Sequence, residues 1–472
     1  MPDPTRSAIV ILADGARADV FARMLDAGEL PEIATHIVAR GAHRTATSTF
    51  TSTTIPAHLP FLTGRFAGSA DVPGYRWYDR RRQPSARLPI GPWSFRSYNG
   101  PESVFVDRDI APDAPTLFEL APGSQNIFGA ITRGLAKGDN IAALRKNLIW
   151  AWAHYREDYV LADREARKAL VDSLDKHAPF RFAVMPGIDW NSHYDDPFGE
   201  GAREAYRRVD RTVGAVARKL QRLGTYDDTL LAIVSDHGHE PVREHFDLAV
   251  CAEKDLGLKV AYHSLRAVRI APELICAVSG NGMAHLYFDE PQPQLVPWLL
   301  EKPAVDIVAS RAEDRILIET RRGSASLRES ADGLVYGVET TDPFGYDSLP
   351  ETLTTEEALE LTAESEYPDG LLQLAQIFRS PRTGDVVVSA APGYDLRERF
   401  ERPEHRSSHG SLHASHMNVP LAMSVPLAEG PLRTADVFST VTEHLGIAEP
   451  AGVDGRRRSV QAAAHGPRAS VA

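Results

Sequence analysis

Apolar residues fall in two rhythms along this chain. Residues 8 to 13, 126 to 132 (NIFGAIT), 181 to 187 (RFAVMPG), 228 to 235 (DTLLAIVS) and 419 to 425 (VPLAMSV) form short runs that are apolar without alternation. That is the pattern of strands buried on both faces, as in a parallel sheet. Glu200 to Leu223 instead places Ala205, Val209, Val213, Val216 and Leu220 near a 3.6-residue period. This predicts a helix over the sheet, closed by Gly224. Residues 139 to 176, rich in Ala, Leu, Arg and Asp, predict one or two more helices. Strand runs with helices between them predict an α/β fold, a three-layer sandwich around a mostly parallel central sheet.

The texture changes between about 241 and 384, where short pieces such as AHLYF, VDIVAS and RILIET are separated by charged turns. This predicts an inserted smaller α+β subdomain, with 1–240 and 385–460 as the core. Residues 80 to 113, dense in Pro, Arg, Ser and Gly, predict a loop over a site, and residues 461–472 a flexible tail. A length of 472 residues exceeds the usual single core of roughly 250 to 300 residues, which fits a core plus insertion.

Composition narrows the function. No apolar run approaches the roughly 20 residues that span a bilayer, and the opening MPDPTRS carries no leader pattern, so a cytoplasmic protein without a membrane partner is expected. A formal net charge of −12 disfavours nucleic acid as a partner. The two cysteines, Cys251 and Cys276, are too few for a disulfide framework or a cysteine zinc site, so any metal must be held by Asp and His.

Asp14, Asp189 and Asp236 each follow an apolar run at or just beyond its C-terminal end. In an open parallel sheet those ends share the rim where ligands bind. Carboxylates gathered there repel one another unless cations lie among them. Two of the three have a histidine at short range, in Asp189-Trp-Asn-Ser-His193 and Asp236-His237. Mixed oxygen and nitrogen ligands suit zinc, and manganese less specifically. Taken singly each aspartate reads as a cap or turn residue, and His237 as a core histidine; together they read as ligands.

The segment TATSTFTSTTIPAHLPFLTG supplies a nucleophile candidate, Thr54, just before Pro56 at a helix start. Ser52, Thr53 and Thr54 read equally well as helix caps. In the histidine-dense stretch His405 to His416, one histidine can complete a ligand set, while His405, His413 and His416 each read better as an exposed polar loop. His239 is open between the two readings.

These motifs resemble the type I phosphodiesterase/nucleotide pyrophosphatase family of the alkaline phosphatase superfamily, in which they come in this order along the chain. Asp14-Gly15-Ala16-Arg17 looks like its first ligand motif, and Thr54-Ile55-Pro56-Ala57-His58 with Thr63-Gly64 like its nucleophile motif. Asp189 with His193, Ser235-Asp236-His237-Gly238, and His409-Gly410 resemble its later ligand motifs. The resemblance implies an alkaline phosphatase-like fold and two divalent ions, zinc first and manganese second. By it, Asp14, Thr54, Asp236 and His237 surround one ion, and Asp189, His193 and His409 the other. It further implies hydrolysis of a small phosphate ester through a phospho-threonine at Thr54. The family's Asn 21 residues past the nucleophile, which holds a phosphate oxygen, is replaced here by Tyr75, with Arg76 beside it, and Ala57 stands where Asn is typical. Tyr75 and Arg76 are therefore the substrate-binding candidates. The alternatives are a phosphomonoesterase or phosphonate hydrolase of the same superfamily, and a metal-binding pseudoenzyme.

Overall fold

The computed structural model describes residues 5–81, 95–98, 101–141, 149, 159–263, 271–397 and 404–459. The expected tail, 461–472, lies outside the described residues, as do residues 82–94 and 99–100 of the expected loop and 142–148 and 150–158 of the expected helical stretch.

Among the described residues the central sheet has eight strands. Their order is Leu432–Arg433, Ala42–Thr47, Asn418–Met423, Thr229–Val234, Ser7–Ala13, Phe180–Met185, Gln125–Ile127, Asn140–Ile141. Every pairing is parallel except the two made by Asn418–Met423. The three central strands, Ser7–Ala13, Phe180–Met185 and Thr229–Val234, are buried at every position, which is why their sequences show no alternation. The amphipathic helix spans Glu200–Leu223 and buries the five apolar residues expected of it. Gly224, at φ +71°, ends it in the left-handed conformation. This helix packs on Tyr159–Ser173 and Pro31–His36, while Leu59–Thr63 packs on Asp436–His444.

Two expectations shift. The run 126 to 132 is strand only over Gln125–Ile127, because Phe128 turns the chain at φ +65°. The stretch expected to be helical from 139 opens with the edge strand Asn140–Ile141, and its described helix begins at Tyr159.

A second sheet, nine-stranded among the described residues, takes up most of the pieces AHLYF, VDIVAS and RILIET in Met283–Tyr287, Val305–Ala312 and Arg315–Glu319. Its strand pairs are antiparallel apart from Val260–Ala261 with Leu274–Ser279. The strand Val386–Ala390 lies inside it, between Met283–Tyr287 and Val305–Ala312. Alternation decides its two faces. Ile307, Ala309 and Val387 join the cluster of Ala358, Leu371 and Leu374, whereas Val308, Val386 and Val388 join that of Leu248, Leu295 and Trp298. No helix among the described residues is long and apolar enough to cross a membrane.

Candidate metal centre

The registers of the central strands bring their carboxyl ends to one rim. Ala13 is level with Met185, and Leu12 with Val234, so the segments that leave these strands start side by side. Asp14 follows its strand directly. Asp236 lies two residues past Val234, and Asp189 sits in the first turn of the helix Gly187–Tyr194, with His193 one turn further on the same face. Gly15 makes this crowding possible. At φ +73°, its position would put a Cβ 2.8 Å from the Cα of Asp189 and 2.9 Å from His239 Nε2. Its N–H donates to Asp236 Oδ1 at 3.2 Å, and the Asp189 N–H donates to the Asp14 carbonyl at 2.9 Å.

Two groups of buried side chains result, Asp14, Asp236 and His237 in one and Asp189, His193, His239 and His409 in the other. Within each group the ligand atoms lie within 4.8 Å of one another. The His237 and His409 rings stack at 3.7 Å between centroids, so the groups share a wall. The seven residues marked out as ligands in the sequence, Thr54 included, thus come together, and His239 joins them.

The histidines are oriented by what their outer nitrogens touch. Nδ1 of His237 donates to the Gly238 carbonyl at 3.1 Å, Nδ1 of His193 to the Ser407 carbonyl at 2.8 Å, and Nδ1 of His409 to the Ser52 carbonyl at 3.2 Å. A carbonyl only accepts, so each neutral ring carries its proton on Nδ1 and turns the Nε2 lone pair inward. Those lone pairs face carboxylate oxygens: His237 Nε2 lies 3.6 Å from Asp14 Oδ1, and His193 Nε2 3.3 Å from Asp189 Oδ1. Two acceptors facing each other in a buried site repel unless a cation or proton lies between them. Asp14 Oδ1 is also buried with no hydrogen-bond partner, an arrangement worth several kcal/mol of desolvation when a carboxylate is left so, by order of magnitude. Burial, then the charges of Asp236 and Asp189, hold the Asp14 carboxyl well above the ordinary range. Burial likewise pushes His239 down to about 3 and His409 well below its ordinary value. Neutral imidazoles and crowded carboxylates are the donor set that divalent ions accept, and histidine with aspartate fits zinc or manganese.

The hydroxyl-rich segment leads into this centre through a short 3-10 helix, Pro56–His58, and the helix Leu59–Thr63. From Ala46 to Arg65 every residue is buried except Thr54, which is half-buried. Its neighbours are engaged elsewhere: Ser48 Oγ donates to the Asp236 carbonyl, Thr51 Oγ1 to the Gly410 carbonyl at 3.4 Å, and Ser52 Oγ to the Ser411 carbonyl at 2.9 Å. Thr54 Oγ1 lies 3.5 Å from His237 Nε2. Burial, which the sequence does not display, separates the hydroxyl that faces the centre from those that build the loop.

The substrate-binding candidates divide. The Tyr75 hydroxyl donates to the Tyr98 carbonyl at 3.3 Å; burial pushes it up to about 12, and the charges of Asp189 and Asp14 reach it. Arg76 lies in the short strand Arg76–Tyr78, where its Nε donates to Ser97 Oγ at 3.1 Å and its N–H to Ser279 Oγ at 3.0 Å. Those contacts tie Arg76 to the hairpin and to the second sheet.

Three participants had no role assigned from sequence. His58 Nε2 lies 3.2 Å from Asp236 Oδ2, completing that carboxylate's contacts. The turn from Ser279 to Gly282 docks on the His409 loop, with the Gly282 N–H donating to the His409 carbonyl at 2.8 Å. A Cβ on Gly280 would lie 2.9 Å from Thr53 Oγ1 and 3.0 Å from His409 Nδ1, so the second sheet approaches the loop that carries Thr54 through a glycine. The third is His416, expected in an exposed loop. It is buried, and its Nδ1 accepts the Ser411 N–H at 3.0 Å, which braces the loop that carries His409. The bare S-G-N-G run between two strand-like pieces was the signal for the turn; nothing local marks His416. His405 packs on His193 at 3.9 Å between centroids, and His413 caps the short helix Ala414–Met417.

Comparison with known proteins bears on the family and the fold. The model of the type I phosphodiesterase/nucleotide pyrophosphatase family matches residues 8–109 and 140–412. None of the curated proteins compared matches the chain. Among solved structures, phosphonoacetate hydrolase from Sinorhizobium meliloti in complex with phosphonoformate is similar over 93% of this chain and 96% of its own, at 19% identity and a TM-score of 0.56. An inactive variant of murine ectonucleotide pyrophosphatase/phosphodiesterase 5 in complex with AMP is similar over 94% of this chain and 96% of its own, at 13% identity and a TM-score of 0.54. At these identities the likeness speaks for a common fold.

Proposed function

Because the chain belongs to the type I phosphodiesterase/nucleotide pyrophosphatase family, we propose that it hydrolyses a small phosphate diester with two divalent ions, zinc first, and Thr54 as nucleophile. The observation that carries the reading is the hydroxyl of the half-buried Thr54, set 3.5 Å from His237 Nε2 in the group that Asp14 and Asp236 complete. Asp14, Asp236, His237 and Thr54 would hold one ion, and Asp189, His193 and His409 the other. When bound, the ions would lower the pKa of a hydroxyl and neutralise charge that develops on phosphoryl oxygens.

The protein's part is placement. The Thr54 oxygen gives up its proton and forms a bond to phosphorus as the leaving oxygen departs and is protonated, giving a phospho-threonine; water then forms the new P–O bond, the bond between phosphorus and the Thr54 oxygen breaks, and a proton from that water restores the Thr54 hydroxyl. His237, fixed through Gly238, and Asp236, fixed through Gly15 and His58, keep the nucleophile's surroundings rigid through both steps. Tyr75 is the substrate-side group of this reading; to donate to a phosphoryl oxygen its hydroxyl would turn from the Tyr98 carbonyl.

The contacts of Arg76, Arg80 and Arg81 favour a diester over a monoester; Arg82 lies outside the described residues. A phosphomonoester dianion needs extra positive groups around its oxygens. Arg80 is bound to Asp385 and the Phe288 carbonyl, Arg81 to Asp79, and Arg76 to Ser97. None of these three guanidinium groups is directed to the metal groups by these contacts. The test is hydrolysis of paired aryl phosphate diesters and monoesters by protein reconstituted with zinc or manganese, with Thr54→Ala alongside. The expected result is diester preference, lost in the variant by several orders of magnitude. A monoester preference would remove the diester assignment, and near-unchanged turnover by Thr54→Ala would remove the nucleophile.

A further inference from the structure

We propose that His239 is a fourth protein ligand of the Asp189 group, so that the chain holds an unlike pair of metal ions: a tight, imidazole-rich site and a looser, oxygen-rich one. The proposal rests on the two-ion reading above and adds to it a ligand and an order of affinity. The motif that resembles the family ends at Gly238, and His239 lies just past it.

The argument is a count of protons. Ser407 Oγ lies 2.7 Å from the Ser192 carbonyl, an atom that can only accept, so the single hydroxyl proton of Ser407 is engaged there. The same oxygen lies 2.9 Å from His239 Nδ1 and therefore can only accept from it. Neutral His239 carries its proton on Nδ1, and its Nε2 presents a lone pair 2.7 Å from Asp189 Oδ1. A nitrogen lone pair and a carboxylate oxygen at that distance call for a cation between or beside them. Ser407 fixes two rings at once, His193 through its carbonyl and His239 through its hydroxyl. The two rings stand edge to face, 4.7 Å apart at 84°, and His239 meets His409 similarly at 5.2 Å and 78°. His239 has no exposed surface, and the missing Cβ of Gly15 leaves its Nε2 clear.

The two groups then differ in kind. Asp189, His193, His239 and His409 offer three nitrogens and one carboxylate; Asp14, Asp236 and His237 offer one nitrogen and two carboxylates, with the Thr54 hydroxyl beside them. Imidazole favours zinc, while carboxylate-rich sites accept manganese and magnesium more readily. The Asp189 group also reaches four ligands from imidazole and carboxylate alone, whereas the Asp14 group needs the Thr54 hydroxyl as its fourth.

Zinc titration of the metal-free chain against a chromophoric chelator should show two ions in two affinity classes. His239→Ala should weaken the tight class by at least about tenfold and leave the weak class in place. X-ray absorption at the zinc edge, with one equivalent loaded, should count three imidazoles in the wild type and two in the variant. His239→Gln keeps an N–H for Asp189 but no imidazole, so it should behave as His239→Ala. If His239→Gln restores wild-type affinity and the wild-type imidazole count is two, His239 only steadies Asp189 and the proposal is overturned. Equal affinities in wild type and His239→Ala, with two ions bound, overturn it too while the proposed function stands. Failure of the wild type to bind any divalent ion would instead remove the two-ion reading itself. Near-ultraviolet circular dichroism in chelator checks that each variant is folded.

Discussion

Replacing Gly15 by alanine tests the geometry on which the whole centre depends. A Cβ built there meets Asp189 Cα at 2.8 Å, Asp189 Cβ at 2.8 Å and His239 Nε2 at 2.9 Å, distances that require something to move. The first two contacts involve the start of a helix whose N-terminal Gly187 N–H is held by Asp163 Oδ1 at 2.9 Å, so yielding there is costly. The φ of +73° adds about 1–2 kcal/mol for any L side chain, and overpacking of this sort about 1–3 kcal/mol more. Together these give roughly 2–5 kcal/mol. An unfolding entropy of about 2.1 cal/mol/K per residue amounts to ~1 kcal/mol/K for this chain, so the apparent Tm in chelator should fall by about 2–5 °C. The displacement separates Asp14 from Asp189, so both ions should also bind more weakly. Differential scanning calorimetry of the metal-free proteins and chelator competition are the assays. A Gly15→Ala protein with unchanged Tm and unchanged affinities would show that the Asp14 loop and the Asp189 helix do not approach as described.

Two further outcomes follow from the same contacts. His58→Ala removes the partner of Asp236 Oδ2; affinity at the Asp14 site should fall roughly 10–100-fold with the Asp189 site little changed, as two-class metal titration would show. Asp14→Asn should raise the stability of the metal-free protein at neutral pH and abolish the part of the metal-dependent gain that comes from the Asp14 site. The Asp14 carboxyl is held above its ordinary range by burial and by Asp236 and Asp189, so its contribution to stability is full below the unfolded carboxyl pKa and is lost as pH rises through the higher folded value. The difference in Tm between wild type and Asp14→Asn in chelator should therefore widen from acid to neutral pH; a constant difference would contradict the assigned crowding.

What the chain discloses in one dimension is what depends on neighbours in sequence. The central strands are legible because burial on both faces removes alternation, and Glu200–Leu223 because one face repeats every 3.6 residues. The aspartates are legible because they follow strand ends, and parallel pairing brings those ends to one rim. His239 was left open because its orientation is set by Ser407, 168 residues later, and Thr54 was not separable from Ser52 because the difference is one of burial. Arg76 read as a charge for the substrate, and its contacts with Ser97 and Ser279 come from a hairpin and a second sheet that spacing alone does not bring together.

The second sheet bears on the chemistry for a physical reason that extends beyond its position in the chain. His409 would supply a ligand only while its ring is turned by the Ser52 carbonyl, and its own carbonyl is held by the Gly282 N–H from the turn between Leu274–Ser279 and Met283–Tyr287. Gly280 lets that turn reach both Thr53 and His409. The nucleophile loop is gripped from the other side as well, by Gln373, whose Oε1 accepts the Phe50 N–H at 2.9 Å, and by Gln376, which accepts the Gly68 N–H at 2.8 Å. Both glutamines lie in the helix Gly370–Ile377, which packs on one face of the second sheet. A segment that reads as an insertion therefore braces the loop of a proposed metal ligand and the path of the loop that presents Thr54. Substitutions along it should alter metal affinity and turnover together, because the same few hydrogen bonds set both.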